Sequence, residues 1–228
     1  MSSPTYVLVH GGWSGGWCWR ELTRVLDERG AAWRTVELSS SRIDAPVTTD
    51  LSDDAANVVE VTKGLGPSIL VGHSYGGSVI TEAAPEIEDL AGLIYVAALF
   101  PLHGESSTDA SRAAKVRTRL DEAIYLDADV LHLKPEVATE ALYQDCDEEL
   151  TKWAIDQLST QTLASFRSAR SSKDVAVVKR YILCSEDRAI DPATQAVMAS
   201  RCDEVVTLKS GHSPFFSQPT ALADAILA

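Results

Sequence analysis

The sequence predicts an α/β fold: a mostly parallel, six-stranded sheet with helices on both faces and a helical insertion over it. Three observations carry this reading. Short, continuously apolar runs recur along the chain, as in strands covered on both faces. Apolar residues at helical spacing separate them, which implies crossover connections and parallel pairing. The alternation lapses from about residue 101 to 174 and then resumes.

The elements follow in order. Tyr6-Val7-Leu8-Val9-His10 is a strand stopped by Gly11-Gly12. Leu22, Val25 and Leu26 place a helix between Trp17 and Arg29, closed by Gly30. Trp33 to Leu38 is the second strand, and Leu51, Ala55, Val58 and Val59 mark the helix after it. Ser68 to Val71 is the third strand, Gly76 to Ala84 a helix, and Leu93 to Ala98 the fourth strand. The lapse reads as helical throughout, with stretches at Asp109 to Glu122, Pro135 to Tyr143 and Asp147 to Leu158, and no strand. Arg167 to Lys173 reads as the loop rejoining the core. Val178 to Cys184, a helix near Pro192 to Ser200, the strand Glu204 to Leu208 and a helix from Pro219 complete the chain. Residues 1–100 and 175–228 are expected to form one core, and residues 101–174 a helical lid.

Composition narrows the function. The chain of 228 residues carries a net charge of −13. That disfavours nucleic acid, whose binding rests on neutralising phosphates, and anionic membrane surfaces. Four cysteines without CxxC or CxxH spacing argue against a metal cluster or a disulfide framework. No basic-then-apolar leader precedes the first strand, and no apolar run reaches the roughly 18 residues of a membrane span. The expectation is a cytoplasmic protein acting on a small molecule. Its oligomeric state is not encoded in any of these features.

One stretch points to chemistry. Gly72-His73-Ser74-Tyr75-Gly76 fits G-x-S-x-G between a strand and a helix. The turn is so tight that a side chain at position 72 or 76 would collide with the packed strand or helix. It lifts Ser74 to the end of the sheet, where open α/β sheets bind ligands. A neutral serine needs a base, and the base an orienting acid, in the chain order Ser, Asp or Glu, His. His212, in the loop after the last strand, is the base. Asp187, next to the end of the strand before it, is the acid. Asp191, directly before Pro192, reads instead as a helix cap, and His10 as a prop for the loop beside it. The oxyanion needs two N–H donors, assigned to Tyr75 and Gly12.

Four segments, VLVHGGWSGGWCW, ILVGHSYGGSVI, YILCSEDRAID and SGHSPFFSQP, together resemble the α/β-hydrolases of the methylesterase and hydroxynitrile-lyase-like branch. The resemblance implies the same five residues in the same roles, and a sheet without the two antiparallel strands that begin longer hydrolases. Lyases of the branch carry threonine after the first-strand histidine and lysine after the catalytic histidine. Gly11 and Ser213 stand there instead, which favours hydrolysis. The expected reaction is cleavage of a small to medium, neutral, moderately hydrophobic carboxylic ester through an acyl-enzyme, with neither metal nor organic cofactor. Amide or carbamate cleavage, hydroxynitrile elimination and ligand binding without turnover are the alternatives. Trp13, Tyr75, Trp153 and Phe166 are candidates to line the substrate pocket.

Overall fold

The computed structural model describes residues 3–228. Six strands form the central sheet: β1 (Thr5–Val9), β2 (Trp33–Val36), β3 (Ser68–His73), β4 (Leu90–Val96), β8 (Lys179–Cys184) and β9 (Glu204–Leu208). Their order is β2-β1-β3-β4-β8-β9, and every neighbouring pair is parallel. The chain leaves β1 outward to β2 and then crosses back to β3. The carboxyl ends of β1 and β3 therefore flank the point where the winding reverses, the place for a ligand in such a sheet.

Strand residues alternate between two cores. Val7, Val9, Leu70 and Tyr95 pack on one face, and Tyr6, Leu8, Val71 and Ile94 on the other. Helices α2 (Leu51–Thr62), α3 (Gly76–Ala83) and α9 (Pro192–Ala199) cover the first face. Helices α1 (Arg20–Glu28), α10 (Pro214–Ser217) and α11 (Pro219–Leu227) cover the second, around the fully buried Trp19. Burial on both faces explains why β1, β3 and β4 show no polar alternation, whereas the edge strands β2 and β9 are partly exposed. All four cysteines are free thiols.

The stretch between β4 and β8 departs from the expected all-helical insertion. It holds α4 (Ser107–Ser111), α5 (Arg119–Ala123), α6 (Pro135–Leu142), α7 (Glu148–Gln157) and α8 (Leu163–Arg167), but also a three-stranded antiparallel sheet. Its strands are β5 (Ile124–Asp127), β6 (Val130–Leu133) and β7 (Gln161–Thr162). β5 and β6 form a hairpin closed by Ala128-Asp129, both at positive φ (46° and 64°). Such a two-residue turn matches the strand twist but usually carries Asn-Gly or Asp-Gly, so the sequence hid it. The helix expected over Asp109 to Glu122 is broken into α4 and α5, each opened by its own capping box, at Ser106 and Thr118.

Candidate functional site

Ser74 sits directly after β3 with φ +53°, a left-handed conformation uncommon outside glycine. Its surroundings leave no other path. A Cβ on Gly72 would lie 2.5 Å from the Gly76 carbonyl oxygen, and one on Gly76 would lie 2.5 Å from that of Val9 and 2.6 Å from that of His10. Both glycines are thus demanded by backbone-to-backbone approach. The Ser74 N–H donates to the Val96 oxygen (3.2 Å), and its carbonyl accepts from Leu99 (2.9 Å) and Gly77 (3.1 Å). The turn is tied to the neighbouring strand and to its own helix. Ser74 remains half-exposed and lines a cavity of about 640 Å³.

The loops after β8 and β9 bring Asp187 and His212 together. The His212 Nδ1–H donates to Asp187 Oδ2 at 2.7 Å, with both residues buried. That bond occupies Nδ1 and leaves Nε2 free of Asp187. Asp187 Oδ1 also accepts from the N–H groups of Ala189 (2.7 Å) and Ile190 (3.0 Å). Gln195, fully buried on α9, donates to Asp187 Oδ2 (2.8 Å) while its own oxygen accepts the Cys184 N–H (2.9 Å). The carboxylate is held from every side, so the imidazole can take one orientation. Glu186 points outward to the exposed Lys209 (3.7 Å). Asp191 caps α9 by accepting the Ala193 N–H at 2.8 Å.

His212 is anchored to the elbow through its backbone: the His73 Nε2–H donates to the His212 carbonyl at 2.8 Å. The two rings lie 4.6 Å apart. Burial, reinforced by the nearby His212 ring, holds His73 well below the ordinary imidazole pKa, so it stays neutral. Asp145, from the insertion, accepts the Gly211 N–H at 2.7 Å and braces the same loop. Among the described residues, no hydrogen bond joins Ser74 Oγ to His212. Such bonds are often long without substrate and tighten when it binds.

Of the glycine pair after β1, Gly11 faces Ser74, and Gly12 lies against Phe166 and Gln161. A Cβ on Gly11 would lie 2.9 Å from Ser74 Cβ. The His10 Nδ1–H donates to the Gly11 carbonyl (2.8 Å) while Nε2 accepts the Leu38 N–H (3.2 Å). The carbonyl that His10 grips belongs to the peptide unit carrying the Gly12 N–H, so the ring fixes that donor's direction. Among the described residues, no group of the chain accepts the N–H of Gly12 or of Tyr75.

The insertion supports these two residues through a buried polar network that no local motif announces. Gln161 of β7 accepts the Trp13 N–H (3.2 Å) and the Ser41 hydroxyl (2.6 Å), and donates to Ser40 and Ser165 (both 2.6 Å). Ser40 leads to Asp54 of α2, whose Oδ1 accepts the Ser40 N–H (2.9 Å) and whose Oδ2 accepts the Ser40 and Tyr75 hydroxyls, the latter at 2.8 Å. Burial pushes the Asp54 carboxyl up to about 6 despite these donors. Phe166 of α8 stacks on Tyr75 (4.8 Å between centroids) and lies 5.5 Å from Trp13.

The candidate pocket residues therefore separate. Trp13, itself at φ +60°, and Phe166 line the cavity. Tyr75 is fully buried beneath Phe166 and lies outside the lining. Trp153 is a correction: it packs edge-on against Trp17 (5.4 Å) under the Arg20 guanidinium (4.6 Å), away from the cavity. Its position on α7 faces the second core, to which Ala154 and Phe216 belong.

A sequence profile of the alpha/beta hydrolase family matches residues 6–225. Norfluorocurarine synthase 2 from a Strychnos species is 29% identical, the match covering 97% of this chain and 93% of that protein. Methylesterase 7 of Arabidopsis thaliana is 28% identical over 97% of this chain and 94% of its own length. The crystal structure of a pyrethroid hydrolase from Sphingobium faniae JZ-2 superposes with a TM-score of 0.84 at 22% identity, covering 99% of this chain and 96% of that one. No described helix is long and apolar enough to cross a membrane. The chain belongs to the alpha/beta hydrolase family, and the relatives it resembles include proteins named as esterases and hydrolases.

Proposed function

We propose that this chain is a serine carboxylesterase acting through Ser74, His212 and Asp187, with the N–H groups of Gly12 and Tyr75 as the oxyanion hole. The observation that carries the proposal is the buried 2.7 Å bond from His212 to Asp187 beside a serine held at φ +53° on a cavity wall. Structural relatives alone would support only a fold.

In the proposed reaction Ser74 Oγ attacks the ester carbonyl as His212 Nε2 takes its proton. The new oxyanion accepts from Gly12 and Tyr75. Asp187 stabilises the imidazolium without taking its proton. Collapse expels the alcohol, protonated by His212, and leaves an acyl-serine. Water, deprotonated by His212, then attacks the acyl carbon, releasing the carboxylic acid and restoring Ser74. Each step returns the proton it borrows. The His10 and Gln161 contacts hold the oxyanion loop before substrate arrives, and that preorganisation gives hydrogen bonds to a developing charge their catalytic value. Residues 101–174 serve as the lid of the cavity, contributing Phe166, Leu120 and Leu131 to its wall.

A series of p-nitrophenyl esters of increasing acyl length tests the proposal, with mandelonitrile beside it. The expected result is ester turnover with a length optimum set by the cavity, and cyanide release at background, since Gly11 and Ser213 replace the lyase threonine and lysine. Absence of both activities would overturn the esterase reading and leave amide or carbamate cleavage or ligand binding. Cyanide release without ester turnover would place it among lyases.

A further inference from the structure

The wall of the cavity reverses the charge of the chain. The sequence has 33 acidic and 20 basic residues. The cavity is lined by four basic side chains, Arg112, Lys115, Arg117 and Arg167, and by one acidic residue, Asp121. The Asp121 carboxylate is already engaged, accepting the Thr118 N–H (2.7 Å) and hydroxyl (3.1 Å) at the start of α5. Two cations off the cavity wall are paired: Arg119 with Glu122 and Glu140, and Arg170 with Asp174. Among the described residues, none of the four on the wall has a carboxylate within 4.0 Å.

Their placement is layered. Arg112, Lys115 and Arg117 follow α4 in one short connection, and Arg167 ends α8; all four are exposed. The apolar wall is deeper: Trp13, Leu99, Leu131 and Ile190 are all buried. A ligand spanning the cavity thus meets the nucleophile in apolar surroundings and positive charge at the outer wall.

We propose that the ester substrate carries an anionic group, of carboxylate type, remote from its scissile carbonyl; this rests on the esterase reading above. The acidity of the whole chain led to the expectation of a neutral ester, but a local field outweighs a distant one once ions screen it. Four like charges with no carboxylate in ion-pair contact repel one another, and an anion bound among them relieves that repulsion. Arginine is cationic at any working pH and matches a carboxylate with paired donors. A cationic ester would be repelled at the same wall. A chain of net charge −13 would slow the arrival of anions in general, and a positive cavity mouth overcomes this by focusing the field locally.

The test uses two isosteric pairs. Mono-p-nitrophenyl adipate against p-nitrophenyl adipamate places the charge on the acyl side. 4-Acetoxybenzoate against 4-acetoxybenzamide places it on the alcohol side. The expected result is a preference for the anionic member of at least one pair of about tenfold in kcat/KM at low salt, carried by KM and equal to about 1.4 kcal/mol. The preferred pair tells which side of the ester reaches the cations. The preference should collapse toward one near 1 M salt, where the screening length is about 3 Å. It should also shrink at least fivefold in Arg112→Gln/Arg117→Gln, whose exposed positions carry no packing. Equal rates within both pairs, or a preference untouched by salt, would overturn the proposal while leaving the esterase reading standing. No turnover of any of the four esters would overturn both.

Discussion

The turns at the carboxyl edge of the sheet and the insertion between β4 and β8 meet at one cavity, yet they are built differently. The edge is made of backbone. A Cβ at Gly72 or Gly76 would fall 2.5 Å from a backbone carbonyl oxygen, and one at Gly11 would fall 2.9 Å from Ser74 Cβ. The insertion is made of side chains. Gln161, Phe166 and the four cations act through what they touch or face, on short elements joined by irregular connections. Backbone constraints admit one residue type, whereas side-chain contacts admit several. In the proposed function the edge sets the reaction, and the insertion is free to set what the reaction is applied to.

The sharpest way to break this division is to alter the edge. Ser74→Ala and Asp187→Asn are each expected to lower kcat on the order of 10⁴-fold with little change in thermal stability. Kinetics and melts on both variants check this, and retention of more than a few per cent activity would return these residues to a purely structural role. Gly76→Val should cost on the order of 4 kcal/mol, in the range reserved for severe steric conflict, because its side chain meets two carbonyl oxygens of β1 and its turn. A soluble Gly76→Val protein melting like the parent would show that the elbow is an ordinary turn.

Asp54 sharpens the comparison, because it is a buried carboxyl bonded to Ser40 and Tyr75 and absent from the cavity wall. Its folded-state pKa of about 6 lies above the usual 3.8. Folding therefore favours its protonated form. The Asp54 contribution to stability is fully present below about pH 4 and is lost as pH rises through 6, by roughly 3 kcal/mol for such a shift. Asp54→Asn, which does not titrate, should flatten this part of the stability-versus-pH curve. Denaturant melts between pH 4 and 7 decide it, and parallel curves for the two proteins would contradict the assignment. The smallest effect belongs to Asp191→Ala, which removes the α9 cap. It should cost about 0.5–2 kcal/mol of stability and leave turnover nearly intact, the opposite of Asp187→Asn four residues before it.

How much of this was readable without coordinates follows the same division. The inner strands β1, β3 and β4 were visible in their apolar runs, because two-sided burial leaves a continuous signature, while the edge strands β2 and β9, half-exposed, were marked by β-branched and aromatic residues between turns. The elbow was visible because only glycine survives at Gly72 and Gly76. The hairpin of β5 and β6 was not, since Ala128-Asp129 lacks the residues that advertise a two-residue turn. Trp153 was misplaced toward the pocket because an aromatic on an amphipathic helix declares that it is buried, not against what. Gln195 and Gln161 gave no signal at all. A buried amide earns its meaning from partners such as Asp187, 8 positions away, or Ser40, 121 positions away. No spacing along the chain encodes the second of these. The cationic wall was hidden in the same way, since Arg112 and Arg167 meet only when α4 and α8 pack.

The central claim is that Ser74 is an activated nucleophile, and it is tested most directly by a fluorophosphonate. The intact protein is labelled with the reagent in the presence of a chelator, weighed, digested and mapped. One adduct, on Ser74, absent from Ser74→Ala and slowed by orders of magnitude in His212→Ala, is the predicted result. A protein that takes up no label, or takes it up equally well without His212, would contradict the account.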